Sequence, residues 1–228
     1  MTLRVALLCS HRAPGLGFLL KEDPDRGRLY DLVCCLSSEE ESDAREDADD
    51  AGLPFISHSI ARFAARSATK RTDLAARVDY DRETLALLAP YDPDLLVLSS
   101  YLLIVTEPLL TAFPERIVNV HHADLTKRPR YVGLRAVRDA IFAGETETRA
   151  TAHLVTERLD EGPILCLSES FPVSPLVQEA ISWGATDILK AYAYAHQEWM
   201  IRSAWGPLLS EAIASVAVRE LEQVIHAQ

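Results

Sequence analysis

The sequence predicts an α/β domain: a mostly parallel, twisted sheet flanked by helices, finished by a C-terminal β-hairpin and a helical tail. Three observations carry this expectation. With 228 residues and 48% hydrophobic content, the chain suffices for one domain with a full core, residues 1–228, with about 207–228 as a helical extension. Its first segment, LRVALLC, is continuously apolar, as befits a strand covered on both faces. Short apolar runs then alternate with helix-like segments, and no internal repeat, low-complexity tract or linker interrupts them. No basic-plus-apolar leader and no apolar run of membrane-spanning length is evident, so a cytoplasmic protein that stays off membranes is expected. Cys9, Cys34, Cys35 and Cys166 lack metal-ligand spacing and read as buried thiols, and no metal is expected. A formal net charge of −11 argues against nucleic acid as a partner, because binding it leans on neutralising phosphates.

Taken in order, Leu3–Cys9 is the first strand, ended at Ser10. Gly15-Leu16-Gly17 follows, and a glycine loop between a strand and a helix invites a phosphate-binding reading. Pro14 removes an amide donor, however, and a solvated loop carrying His11 and Arg12 is the alternative. Leu29–Leu36 is the second strand. The acidic stretch Ser37–Asp50 lacks calcium-loop spacing and reads as a solvated helix face, capped by Gly52. Pro54-Phe55-Ile56 starts a third strand. Ala61–Arg77, with Arg62, Arg66, Lys70, Arg71 and Arg77, reads as a mobile surface loop, with an anionic ligand as the other reading.

Asp81–Ala89 is predicted helical, started near Asp79 or Asp81 and ended by Pro90. Leu95–Val105 begins as a strand, breaks at Ser99 and Ser100, and continues as an apolar patch without strand period, which suits a pocket wall. Glu107–Phe113 is a short helix, and Ile117 and Val118 form the buried end of the next strand. Thr126–Tyr131 is a polar, basic loop, and Leu134–Ala143 a helix capped by Gly144. Thr151–Thr156 and Ile164–Phe171 form the hairpin around Leu159–Pro163, and Pro172 to Pro175 breaks the sheet. Val177–Trp205 is helical and divided near Gly184. Tyr192, Tyr194, His196, Trp199 and Trp205 on it read as core or dimer surface. A final amphipathic helix, Pro207–His226, carries Leu209, Ile213, Val216, Leu221 and Ile225. It caps the domain or makes a subunit interface, so a homodimer is the assembly to test.

The chemistry concentrates between Arg116 and Pro163. Residues two apart in a strand share a face, so Asn119 and His121 should point the same way where the strand gives out. Open α/β sheets bind ligands just outside the carboxyl ends of their strands. A fixed amide donor and an imidazole suit acyl transfer, because attack on a carbonyl builds negative charge on its oxygen. Asp160 could move the proton itself, through a water, or by tuning the histidine. His153 lies in the strand leading to the Asp160 loop, where it could orient either partner. The plainer reading stands beside this one: a histidine at a strand end is often a hydrogen-bonded surface group, and Asp-Glu-Gly-Pro is a common turn.

NVHH, ATAHLV and LDEGPIL, in that order, resemble the folate-dependent formyltransferase family, a resemblance running from about Arg4 to about Leu208. It implies a Rossmann-like fold, 10-formyltetrahydrofolate as formyl donor, and Asn119, His121 and Asp160 as catalytic residues with His153 in support. It also implies that Tyr101, Leu103, Ile104 and Val105 form one wall of the pterin site, and that Thr156, Leu159 and Gly162 contribute to the other. The anionic ligand of the second reading of Ala61–Arg77 could then be the donor's glutamate tail. The Gly-x-Gly-Ser-Asn loop and the Met-Arg pair of ribonucleotide-using members are replaced here by residues 10–16 and Leu102-Leu103. Residues 16–20, and His122 where many members have proline, look like the deformylase branch. The glutamate that meets the substrate amine in ribonucleotide-using members aligns with Ala195 or His196. Asp124 with Arg128 or Arg130 could define an acceptor pocket.

Three function classes follow: formyl transfer to a small-molecule amine, hydrolysis of the same donor, and a non-catalytic protein on the same scaffold. An intact polar set weighs against the last, because burying such groups without work for them is unfavourable. The basic 126–131 loop favours transfer to an amine other than glycinamide ribonucleotide, and the His121-His122 pair favours the deformylase as alternative.

Overall fold

The computed structural model describes residues 2–226, with side chains described through residue 220. Its main sheet has seven strands: β1 (Leu3–Cys9), β2 (Tyr30–Ser37), β3 (Phe55–Ser57), β4 (Leu95–Leu98), β5 (Ile117–His121), β7 (Thr151–Leu154) and β8 (Ile164–Leu167). Their order is β3-β2-β1-β4-β5-β7-β8. The first five run parallel, β7 is antiparallel to β5, and β8 returns antiparallel to β7. A small second sheet pairs β6 (Glu147–Thr148) with β9 (Phe171–Pro172), so the predicted strand 164–171 is two short strands in different sheets. The predicted α/β architecture, with its hairpin and helical end, is the observed one. All four cysteines are free and buried.

Strand order reverses between β1 and β4, and there the two following loops are stitched together. Leu102 N donates to Ser10 Oγ at 3.0 Å, and Ser99 Oγ donates to the Pro14 carbonyl at 2.5 Å. β4 stops at Leu98, as the loss of strand period after Ser99 predicted. Tyr101 and Val105 turn into the core, while Leu102 and Ile104 stay about half exposed.

Helices α1 (Leu16–Lys21), α2 (Ala44–Asp50), α3 (Ile60–Arg66), α4 (Leu74–Leu88), α5 (Glu107–Ala112), α6 (Ala136–Phe142), α7 (Leu176–Ser182) and α8 (Thr186–His226) cover the sheet. The expected mobile loop 61–77 is instead α3 after its first residue and the start of α4, with only residues 67–73 as a connecting turn. Ser59 caps α3 by accepting from Arg62 N, and Asp73 caps α4 by accepting from Ala75 N and Ala76 N. Three of its arginines form ion pairs, two of them with the acidic stretch: Arg71 with Glu39 at 2.5 Å and Arg62 with Glu40, while Arg66 meets Glu83 of α4 at 2.5 Å. That stretch is helical only from Ala44, and its earlier residues form the loop that meets the arginines.

The predicted break between Trp205 and Pro207 is absent, and α8 runs through Pro207 unbroken. Trp205, Leu208, Leu209, Ala212 and Ile213 are all buried on it, so packing holds the helix across the missing N–H. Gly206 makes this possible, since a side chain there would lie 2.5 Å from Phe18 Cβ. Gly15 (φ +84°) presses on the same spot, where a Cβ would come within 3.0 Å of the Gly206 backbone. The glycine loop after β1 therefore serves the crossing of α1 over α8. Leu221 and Ile225 lie outside the residues whose side chains are described. Among the described residues, no helix is long and apolar enough to cross a membrane.

Candidate active site at the end of the fifth strand

Register builds the site. Asn119 and His121 project from the same face of β5, and Asn119 lies directly opposite His153 of β7. His153 Nδ1 faces the Leu154 carbonyl at 2.9 Å, an atom that only accepts, so Nδ1 carries the hydrogen. Its Nε2 is then the acceptor for Asn119 Nδ2 at 3.2 Å. Burial holds the His153 pKa below its ordinary value, opposed by the Leu154 carbonyl and the Asp160 charge. A neutral His153 thus fixes which way the Asn119 amide points.

The hairpin between β7 and β8 folds back over this face. Val155 N bonds to the Ile117 carbonyl at 2.8 Å, and the loop returns with Asp160 in the left-handed region at φ +54°. Asp tolerates that conformation better than most residues, though a non-glycine there marks a held turn. Asp160 Oδ2 lies 3.4 Å from His121 Nδ1, and Oδ1 lies 3.7 Å from His153 Nε2. Gly133 N also donates to Asp160 Oδ2, at 3.2 Å. His121, His153 and Asp160 are buried and Asn119 half-buried. All four predicted polar residues therefore converge.

The predicted walls are only partly presented. Ile104 and Leu159 are exposed, joined by Leu102, Val132 and Leu134, while the Tyr101 and Val105 side chains are core. Thr156 Oγ1 bonds within its own loop to the Arg158 carbonyl, and Gly162 is buried against β7. Asp124 accepts from Thr126 N at 2.9 Å, so it organises the 126–131 loop from within. Lys127 ties the same loop to Glu147 at 2.7 Å.

One contact escaped the sequence reading. His196 is buried on Thr148 at 2.7 Å, and the helix carboxylate facing the loop after β1 belongs to Glu198. Arg12 grips it with both nitrogens, at 2.8 and 2.6 Å. The guanidinium holds the Glu198 carboxyl below the usual range. Arg77, expected in a mobile surface loop or against an anionic ligand, is instead a buried residue of α4. It is 4% exposed, and its Nε and Nη1 have no partner, nor has the hydroxyl of neighbouring Tyr101.

His122 tilts onto Trp205 with ring centroids 4.6 Å apart. Burial first, then the charges of His121 and Arg12, push its pKa down to about 4, against the opposing pull of Glu198 and Asp160. The unfolded chain takes up this proton near pH 6.5 and the folded chain only near 4. The stabilisation is thus complete above 6.5 and declines as the pH falls toward 4, by up to ~3 kcal/mol. Urea unfolding across that range should show His122→Phe losing less stability than the wild type. Equal losses in both proteins would mean that His122 is charged in the fold.

The Formyl transferase family model matches residues 3–181. Formyltetrahydrofolate deformylase of Bacillus subtilis is 32% identical over 162 residues, which is 71% of this chain and 48% of that protein. Phosphoribosylglycinamide formyltransferase of Escherichia coli is 34% identical over 98 residues, 43% of this chain and 44% of that one. The chain thus spans about half the length of the curated relatives it matches. Glycinamide ribonucleotide transformylase 1 from Symbiobacterium toebii superimposes with a TM-score of 0.63 at 27% identity, over 87% of this chain and 86% of that one. With the model spanning most of its length and its polar set gathered at the end of β5, the chain belongs to the formyl transferase family.

Proposed function

We propose that the protein moves a formyl group from 10-formyltetrahydrofolate to a small-molecule amine other than glycinamide ribonucleotide. The observation that carries the reading is the gathering of Asn119, His121, His153 and Asp160 on one sheet face. When bound, the donor supplies the formyl carbonyl. The Asn119 amide holds the negative charge that develops on its oxygen. Asp160 takes the proton from the attacking nitrogen, directly or through His121, and returns it to the leaving nitrogen. His153 stays neutral and keeps the Asn119 amide aimed.

The remaining surface suits such a donor. Leu102, Ile104 and Leu159 offer apolar area to a flat ring system. On the acceptor side, Arg12 is engaged by Glu198 and Gly15 by Gly206, which leaves no phosphate cradle in the loop after β1.

Hydrolysis of the same donor is the second reading. The B. subtilis and E. coli deformylases align over 71% of the chain, and the His121-His122 pair supports this reading. One assay separates the two. The protein is incubated with 10-formyltetrahydrofolate alone and then with a panel of amines, following tetrahydrofolate and formate. Turnover that begins only with an amine is expected. Rapid formate release without one would establish the hydrolase instead.

A further inference from the structure

We infer that Tyr131 is a positioning residue, whose main-chain carbonyl locks His121 in the Nε2–H tautomer while its side chain, tied to Glu145, holds that carbonyl in place. The inference rests on the proposed acid–base role of His121. His121 Nε2 lies 2.7 Å from the Tyr131 carbonyl oxygen. A carbonyl can only accept, so Nε2 must carry the hydrogen. In neutral His121 the lone pair is therefore on Nδ1, the nitrogen 3.4 Å from Asp160 Oδ2. Nδ1 is therefore the nitrogen placed to relay a proton to and from that carboxylate. The working nitrogen is thus Nδ1, and Nε2 keeps its own proton throughout.

The loop that does this touches both partners. Tyr131 offers its carbonyl to the imidazole, and two residues later Gly133 offers its N–H to Asp160. Gly133 has φ +74°, a conformation glycine adopts freely, and it turns the chain between these two contacts. The Tyr131 hydroxyl donates to Glu145 Oε1 at 2.9 Å, and this is the side-chain anchor nearest the carbonyl. Burial and the Glu145 charge raise the tyrosine pKa, so the hydroxyl keeps the proton it donates. Lys127 anchors the same loop separately, on Glu147.

The test reads the tautomer and the rate on the full chain. Long-range ¹⁵N–¹H correlation of ¹⁵N-labelled protein should show His121 Nε2 as pyrrole-type and Nδ1 as pyridine-type. Tyr131→Phe should mix the tautomers and lower kcat about tenfold, leaving KM for 10-formyltetrahydrofolate unchanged. If that variant folds poorly, Glu145→Gln weakens the same hydrogen bond from its other side. Lys127→Ala, which cuts only the second anchor, should alter neither spectrum nor kcat. An Nδ1–H tautomer in the wild type overturns the inference. So does a Tyr131→Phe protein with wild-type spectrum and kcat, or a Lys127→Ala protein that reproduces the effect. Should the wild type not consume 10-formyltetrahydrofolate at all, the functional reading fails while the spectra still decide the tautomer.

Discussion

Asp160→Asn is expected to lower turnover of 10-formyltetrahydrofolate at least ~100-fold while the protein unfolds within a few degrees of the wild type. The substitution replaces a proton-accepting oxygen with an amide of the same size. Asparagine is chosen over alanine because residue 160 sits at φ +54°, where asparagine is well tolerated. Its remaining oxygen can still accept from Gly133 N, which now bonds to Asp160 Oδ2 at 3.2 Å. Alanine would add left-handed strain of ~1 kcal/mol and blur lost chemistry with a displaced loop. His121→Ala should lose a similar factor. The double variant should lose little more than either single one, because groups that pass one proton act as a unit. Steady-state rates with and without amine, beside thermal melts, check all three proteins. Wild-type turnover in Asp160→Asn would remove the carboxylate from the mechanism.

What was legible in the sequence was local. The apolar runs of β1, β2 and β4 and the two-residue spacing of Asn119 and His121 need only neighbours along the chain. The caps Ser59 and Asp73 were also in plain view, but the arginines around them read as solvated charge, and α3 with the first turn of α4 was read as loop. Other features depend on register and could not be seen from one strand. His153 aims Asn119 because the register of β7 on β5 sets those two residues opposite each other. Arg12 meets Glu198 across 186 residues of chain, through the packing of α1 on α8. The same packing carries α8 past Pro207, where local propensity predicted a boundary.

Gly162→Ala is expected to combine the largest loss of stability with loss of activity. A Cβ at this position would lie 1.8 Å from the Leu154 carbonyl oxygen and 2.8 Å from its carbon. Both atoms are backbone of the strand that carries His153, so no rotamer change relieves the clash. The 155–163 loop must lift away, which strains the bond from Leu154 N to the Pro163 carbonyl, now 2.9 Å. Overpacking of this kind is worth about 3 kcal/mol. A lifted loop also carries Asp160 away from His121, and a shift of ~1 Å in a reacting group can reduce the rate about 100-fold. Gly184→Ala is the matched control. Gly184 has φ +66° and nothing within 4 Å of an added Cβ, so only conformational strain of ~1 kcal/mol is expected, with turnover unchanged. Urea unfolding and turnover measured on both variants separate the effects. If Gly162→Ala were as stable as Gly184→Ala and fully active, the hairpin would not be seated on β7, and Asp160 would have to reach His121 by another path.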